Sequence, residues 1–395
     1  MSKRVGGFIN QDGLNAPDEP TNVTASAGDA QATVSFTAPS DVGGSAVTGY
    51  VATSNDGIGA AGSSSPITVT GLTNGTAYTF RVWALNAFGY SAPSGASGSV
   101  TPTLPPPDAL FAGGADGTPI TNRIDYIIFS TIGTVLDFGD LSVAREGLAG
   151  CSSSTRGVFG GGKTAGDVNV MDYVTIASTG NAADFGDLTL AREDLAACSS
   201  STRGVFSGGE NFGAKNNIDY ITIASAGNAT DFGDMSQARY WLSSSSSSTR
   251  GLFAGGFTGA AQLNTISYIT IASTGNDTDF GDLTTVRYGT ASCASSTRAL
   301  FGGGGSFSNT IEYVTIASTG NSVDFGDLTT GRELLSACSS QTLGVFGGGE
   351  TGSGYSRTVD YVTIASLGNA TSWGNLSFPG RNGLAACSNA HGGLS

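Results

Sequence analysis

A unit of about 47 residues is written six times between residues 110 and 395. A period of that length marks a solenoid, a propeller or an array. The second copy reads RGVFGGG, a variable stretch, then MDYVTIASTGNAADFGDLTLAREDLAACSSST. Five marks fix the register of the copies. A phenylalanine precedes the glycine run at Phe111, Phe159, Phe206, Phe253, Phe301 and Phe346. A tyrosine follows at Tyr126, Tyr173, Tyr220, Tyr268, Tyr313 and Tyr361. The next aromatic is Phe138, Phe185, Phe232, Phe280, Phe325 or Trp373. Then come Arg145, Arg192, Arg239, Arg287, Arg332 and Arg381. Six residues after each arginine stands Cys151, Cys198, Ser245, Cys293, Cys338 or Cys387.

Each unit holds four short strand-like runs: a (LAACSS), b (RGVFGGG), c (DYVTIAS) and d (ADFGDL). Gly-, Ser- and Thr-rich turns separate them, and no window keeps a helical period. Run c is apolar on both faces, with Ile124, Tyr126 and Ile128 on one and Ile127 and Phe129 on the other. A strand covered from both sides reads this way. Four antiparallel strands repeated radially make the blades of a propeller. The first unit begins at run b (109–111) and the last ends after run a (384–388). The final a run is therefore expected to complete the first sheet, which removes the exposed ends of an open array. An open β-solenoid is the rival architecture and gives no reason for that phase shift.

The expected fold class is all-β. The divisions are a leader or docking arm at 1–19, a small sandwich at 20–103, a proline linker at 104–108 and the repeats at 109–395. The leader carries Phe8, Ile9 and Leu14 with no domain to join. It reads either as disordered or as an arm that docks to other proteins of a larger assembly. The net charge is -14, with 17 basic residues against 31 acidic ones, which argues against nucleic acid and anionic membrane as partners. No run is long enough to span a bilayer and none resembles a secretion signal.

Residues 20–103 alternate in short runs at 32–36, 49–53, 67–69 and 77–84. Pro20 and Val23, the segment ATVSFTAP, Gly49-Tyr50, Leu72 six before Tyr78, and YTFRVWALNAFGYSAPS together resemble a fibronectin type III domain. The resemblance implies an antiparallel sandwich, a corner-tyrosine role for Tyr78, and a spacer or adhesion module. It departs from the family at Phe36, where a tryptophan is usual.

The order of marks in the repeats is similar to kelch repeats, with phenylalanine in five units where the pattern has tryptophan and Trp373 in the last. That likeness implies a six-bladed kelch-like β-propeller. The pairing of the two domains resembles virion proteins of tailed bacteriophages, cyanophage ones in particular. It implies a non-enzymatic fibre, appendage or decoration, made in the host cytoplasm, that presents the propeller to a host-surface glycan or protein. The alternatives are a secreted or surface adhesion module of a bacterium and a polysaccharide-acting enzyme.

Chemistry is sparse. Kelch-like copper oxidases need histidine ligands, and His391 is the sole histidine. One histidine also cannot supply a nucleophile–base–orienter set. The six repeated arginines are expected to be structural, bonding backbone carbonyls or the d-run acids Asp140, Asp187, Asp234, Asp282 and Asp327. The cysteines read as small buried residues near an axis. No cofactor is expected. Calcium is the one ion raised by pairs such as Asp137 with Asp140, and two carboxylates fall short of its six to eight oxygens.

The copies differ most in the b–c loops, at 115–122, 163–170, 210–217, 257–265, 306–310 and 350–358, and in the d–a stretches. Antiparallel order puts these on one face, while the uniform a–b and c–d turns share the other. The expected binding face carries Trp241, Tyr240, Tyr288, Phe212, Phe257, Phe307 and Tyr355. Trp241 stands out because the matching positions are read as Gly147, Leu195, Gly289, Leu334 and Gly383. The plain alternative is that it fills a pocket between units.

Overall fold

The computed structural model describes residues 15–117, 120–377 and 379–394. It is all-β apart from one 3-10 turn at Gly392–Leu394. The chain divides into two compact units, Met1–Pro105 and Pro106–Ser395.

The first unit packs two antiparallel sheets. One holds Thr21–Gly28, Gln31–Thr37 and Ile67–Thr70, and the other holds Gly59–Gly62, Gly49–Ser54, Phe80–Asn86 and Gly89–Tyr90. Alternation along each strand sends Val34, Tyr50, Val69, Phe80 and Val82 into one core. Phe36 fills its place by packing on Tyr50, with ring centroids 4.7 Å apart. The Tyr78 hydroxyl accepts the Thr73 amide at 3.0 Å, which ties the corner to the chain just upstream.

Two boundaries shift from the sequence reading. The docking-arm assignment for 1–14 lies outside the described residues. Residues 15–19 are not free of the sandwich: the Asn15 amide donates to Gly43 (2.9 Å) and the Asp18 amide to Asp41 (3.0 Å). At the other end, Asp108 belongs to the second unit rather than to a linker. Its amide donates to Ile127, its carbonyl accepts from Asn389, and its carboxylate accepts the Phe129 amide at 2.9 Å.

The second unit contains six four-stranded antiparallel sheets. Five take their a, b, c and d strands in chain order, as in Ala149–Ser152, Arg156–Gly160, Val170–Thr175 and Ala183–Asp187. The first sheet borrows its a strand from the C-terminus: Ala385–Ser388 pairs with Ala109–Ala112, followed by Arg123–Ile127 and Val135–Asp140. Each a strand touches the next, and the last touches the first.

The recurring marks hold neighbouring sheets together. The phenylalanine of strand b is fully buried and inserts against the preceding sheet, so Phe159 joins the core of the first sheet and Phe206 that of the second. Tyr173 meets Phe185 edge-on at 6.0 Å, and this T-shaped pair recurs in all six sheets. Arg156 lies 4.3 Å over the Tyr173 ring and donates to the Ile223 carbonyl of the next sheet at 2.9 Å. The glycine of the FGD run sits at a bulge in the c–d pairing with φ near +140°, where the next unit's c–d turn presses on it. A Cβ on Gly186 would stand 2.6 Å from the Gly227 carbonyl carbon, so only glycine fits.

Candidate functional site

The a strands surround a narrow central channel, and its two ends are built differently. At one end the residue two after each repeated arginine turns left-handed: Gly147, Asp194, Trp241, Gly289, Leu334 and Gly383 have φ between 52° and 62°. These six residues are joined by their own backbone. Gly147 donates its amide to Gly383 (2.8 Å), Asp194 to Gly147 (2.7 Å) and Trp241 to Asp194 (2.9 Å). Gly289 donates to Trp241 (2.7 Å), Leu334 to Gly289 (2.8 Å) and Gly383 to Leu334 (3.0 Å), which completes the circuit. The residue equivalent to Trp241 in the third sheet is therefore Asp194, not Leu195. Leu195 lies one step deeper, in a layer with Leu148, Leu242, Thr290, Leu335 and Leu384.

This end is the one bordered by the d–a stretches and b–c loops. Backbone bridges join Glu146 to Lys163, Glu193 to Glu210, Tyr240 to Phe257 and Glu333 to Glu350. Three small cavities lie along the channel, of about 70, 110 and 60 Å³ from the mouth inward, each large enough for a few waters.

The other end is plugged by the C-terminal turn, a feature that the sequence reading passed over. His391 reaches in so that its Nε2 lies 3.3 Å from the Ser199 hydroxyl and 3.2 Å from the Ser152 carbonyl oxygen. Its Nδ1 accepts the Gly393 amide at 3.1 Å. Burial lowers its pKa to about 4, against a smaller upward pull from the Ser152 carbonyl. Gly392 and Gly393 press against the backbone of Ser295, Ser246 and Ser199, where no Cβ has room. The only sequence signal was a small, glycine-rich end, HGGLS, on a chain whose glycines are everywhere.

The seven residues expected on the binding face separate into two groups. Tyr240, Trp241, Phe257 and Tyr288 form one aromatic cluster at the mouth, between the fourth and fifth sheets. Trp241 lies 4.8 Å from Tyr240, 5.3 Å from Tyr288 and 6.4 Å from Phe257, the last nearly parallel. Tyr240 is buried beneath, while the other three rings stay partly exposed. Phe212, Phe307 and Tyr355 stand apart from the cluster. Phe212 is fully exposed at a loop tip, Phe307 faces Gly352, and Tyr355 belongs to an extra hairpin (Glu350–Thr351, Gly354–Tyr355) and lies over Gly117. The pocket-filling reading of Trp241 is thus half right: the ring packs on its neighbours and keeps an open edge.

The carboxylates at the mouth repel one another. Burial raises the Asp194 pKa well above the usual carboxylate range, and Glu193, Glu146 and Glu210 push it the same way, opposed by a hydrogen bond from the Trp241 ring. Lys163 pairs with Glu193 at 2.7 Å.

The repeated arginines are buried, and their acidic partners lie on strand c rather than on strand d. Arg145 binds Asp172 at 2.8 Å, Arg192 binds Asp219 at 2.9 Å, Arg332 binds Asp360 at 2.6 Å and Arg381 binds Asp125 at 2.9 Å. Arg287 pairs with Glu312. Guanidinium N–H groups also donate to the strand-b carbonyl, as from Arg145 to Phe159 at 3.1 Å. The d-strand acids sit at the rim, where the Asp140 amide is capped by the Asn181 side chain of the next c–d turn at 3.1 Å. Arg239 bonds the Ser267 hydroxyl at 2.7 Å and has its acid nearby at Asp277, on the c–d turn; burial lowers its pKa to about 10, against an upward pull from Asp277.

The five cysteines are free and buried, and burial raises each thiol, to about 12 at Cys198, Cys293 and Cys387. Among the described residues no three His, Cys, Asp or Glu side chains converge as a metal site, and the Asp137–Asp140 pair gains no third side chain of these kinds.

Residues 18–99 match the fibronectin type III domain, and the first unit is such a domain. No curated protein matches the chain.

Proposed function

We propose that residues 106–395 are a six-bladed, kelch-like β-propeller closed by the C-terminal strand, and that the protein is a non-enzymatic attachment component of a tailed-phage virion. The propeller reading is supported by the six four-stranded sheets, the borrowed first a strand and the circuit of six amide bonds at the mouth. The attachment reading rests on one observation. A repeated scaffold concentrates its loop variation on one face, and there gathers Tyr240, Trp241, Phe257 and Tyr288 at the channel mouth. Partly exposed aromatic clusters on a rigid frame are the usual anchors of recognition. The virion assignment draws on the resemblance of the domain pairing, with the N-terminal segment docking to the particle.

The test has two arms. Mass spectrometry of purified particles should find the chain as a stoichiometric component, and soluble protein should compete with particles for adsorption to host cells. Absence from particles would move the reading to a bacterial adhesion module. Presence without competition would leave a decoration that binds only its own particle.

A second reading, a polysaccharide-acting enzyme, is favoured by Asp194, whose pKa burial and the neighbouring Glu193, Glu146 and Glu210 raise, the direction in which a general acid is tuned. Release of reducing ends from host polysaccharide, lost in Asp194→Asn, would establish it.

A further inference from the structure

We infer that the sector between the fourth and fifth sheets is a carbohydrate site that takes a sugar without acidic groups. This deepens the attachment reading and rests on it.

The repeat is its own control, because every position occurs six times. At the mouth Trp241 stands where three other units have glycine. One layer deeper, Thr290 stands where the other five units have leucine. In the layer facing the channel, Ser244 and Ser292 stand where the other four units have Gly150, Ala197, Ala337 and Ala386. Below them Ser245 replaces the cysteine of the other five units. Drift spread over six equivalent units would not line up on one sheet and its neighbour. These changes do, from the surface to the channel floor.

The chemistry of the sector is consistent through its depth. At the top are partly exposed aromatic rings, with the Trp241 ring N–H held by the Asp194 carboxylate. Beneath are hydroxyls. Thr290 donates to Ser243 at 2.9 Å, while the Ser245 and Ser292 hydroxyls are more than nine-tenths buried, line the channel and have no hydrogen-bond partner in the protein. Buried hydroxyls of this kind are met by water or by a ligand's polar groups. The deeper cavities, about 110 and 60 Å³, have room for water and not for a pyranose ring. The sugar ring therefore lies on the aromatic platform at the mouth, with channel waters relaying its hydroxyls to Thr290 and Ser292.

The ring centroids lie 4.8–6.4 Å apart, too close to admit a quaternary cation between them, so they form a platform rather than a cage. Charge selects among sugars. Glu210 lies near Tyr240 and Glu333 near Tyr288, and the nearby Lys163 is paired with Glu193. An anionic sugar would meet this field within a Debye length, about 8 Å at physiological salt.

The test uses the full chain on an array of uncharged glucose, galactose, mannose and N-acetylglucosamine oligomers, beside oligogalacturonates and sulfated galactans. The expected result is binding to at least one uncharged series and at least tenfold weaker binding to acidic ones, with the gap narrowing as salt rises. Trp241→Gly should weaken binding tenfold or more at unchanged Tm, because glycine keeps the left-handed backbone that three equivalent positions already use. Phe212→Ser, outside the cluster, should bind as the parent does. If Trp241→Gly does not fold, Tyr288→Ser carries the same expectation. No binding to any uncharged oligomer at millimolar concentration, a preference for acidic ones, or unchanged affinity in Trp241→Gly overturns the proposal. If Trp241→Gly protein still blocks particle adsorption, the attachment reading survives and this site does not.

Discussion

Gly147 donates its backbone amide to the carbonyl of Gly383 at 2.8 Å, which joins the start of the second sheet to the last residues before the C-terminal strand. The second unit therefore draws on the chain's end in two ways, through this bond and through the pairing of Ala385–Ser388 with Ala109–Ala112.

Deleting residues 384–395 should unfold the second unit or drive it to oligomers, since the first sheet loses its a strand and exposes an edge. Deleting only 390–395 removes the plug and should leave the sheets folded. Thermal melts and mass by light scattering compare the two. Equal melts for the 384–395 deletion and the parent would show that the end strand is dispensable.

The buried arginines give a mutational contrast. Asp219→Ala leaves Arg192 charged and unpaired inside the protein and should cost about 3–5 kcal/mol in denaturant unfolding. Ser267→Ala removes only a neutral hydroxyl and leaves Asp277 near Arg239, so it should lower Tm less. A loss in Ser267→Ala as large as that in Asp219→Ala would mean that Asp277 does not serve Arg239 as its acid.

Protonation should loosen the plug. The folded pKa of His391, about 4, lies below its unfolded value of about 6.5, so the unfolded or withdrawn tail binds the extra proton. The plug's contribution is complete above pH 6.5 and declines as pH falls toward 4. The thiols that line its cavity are uncharged throughout that window, so they do not offset the effect. The loss should be on the order of 2–3 kcal/mol. Amide exchange at 391–394 followed from pH 7 to pH 4.5 measures it, and His391→Gln should flatten the dependence. Identical exchange at both pH values, after correction for intrinsic rates, would remove His391 from the role.

The five thiols should be inert in the folded protein, because burial keeps them protonated. A disulfide-exchange reagent should titrate none before denaturation and all five after it. Rapid labelling of native protein would indicate that the channel opens.

Much of this architecture was legible because the repeat lets the chain be compared with itself. The strand runs, their order and the borrowed strand follow from the marks at Phe159, Tyr173, Phe185 and Arg192 and from the phase of the two ends. The arginine partners were misread because both DFGD and MDY carry an aspartate. Spacing alone does not say that Asp172 on strand c points inward while Asp187 sits at the rim. Asp194 was missed for a different reason. Its neighbour Leu195 looks like the repeat's apolar position, although the count of two from Arg192 already aligns Asp194 with Trp241, and the left-handed backbone at φ 55° agrees. The plug was invisible because insertion of His391 depends on a channel that exists only after all six sheets assemble. In the first unit, the alternation in 32–36 and 77–84 and the tyrosine at Tyr78 carried the sandwich directly.

The most direct test of recognition by the variable face is hydrogen–deuterium exchange on the full chain, alone and bound to host envelope fragments. Protection is predicted in peptides covering 240–242, 257–263 and 288–290, with no change in the a–b turns at 200–203 and 247–250. Protection confined to those turns or to the fibronectin type III domain, with the Trp241 region unchanged, would contradict the assignment.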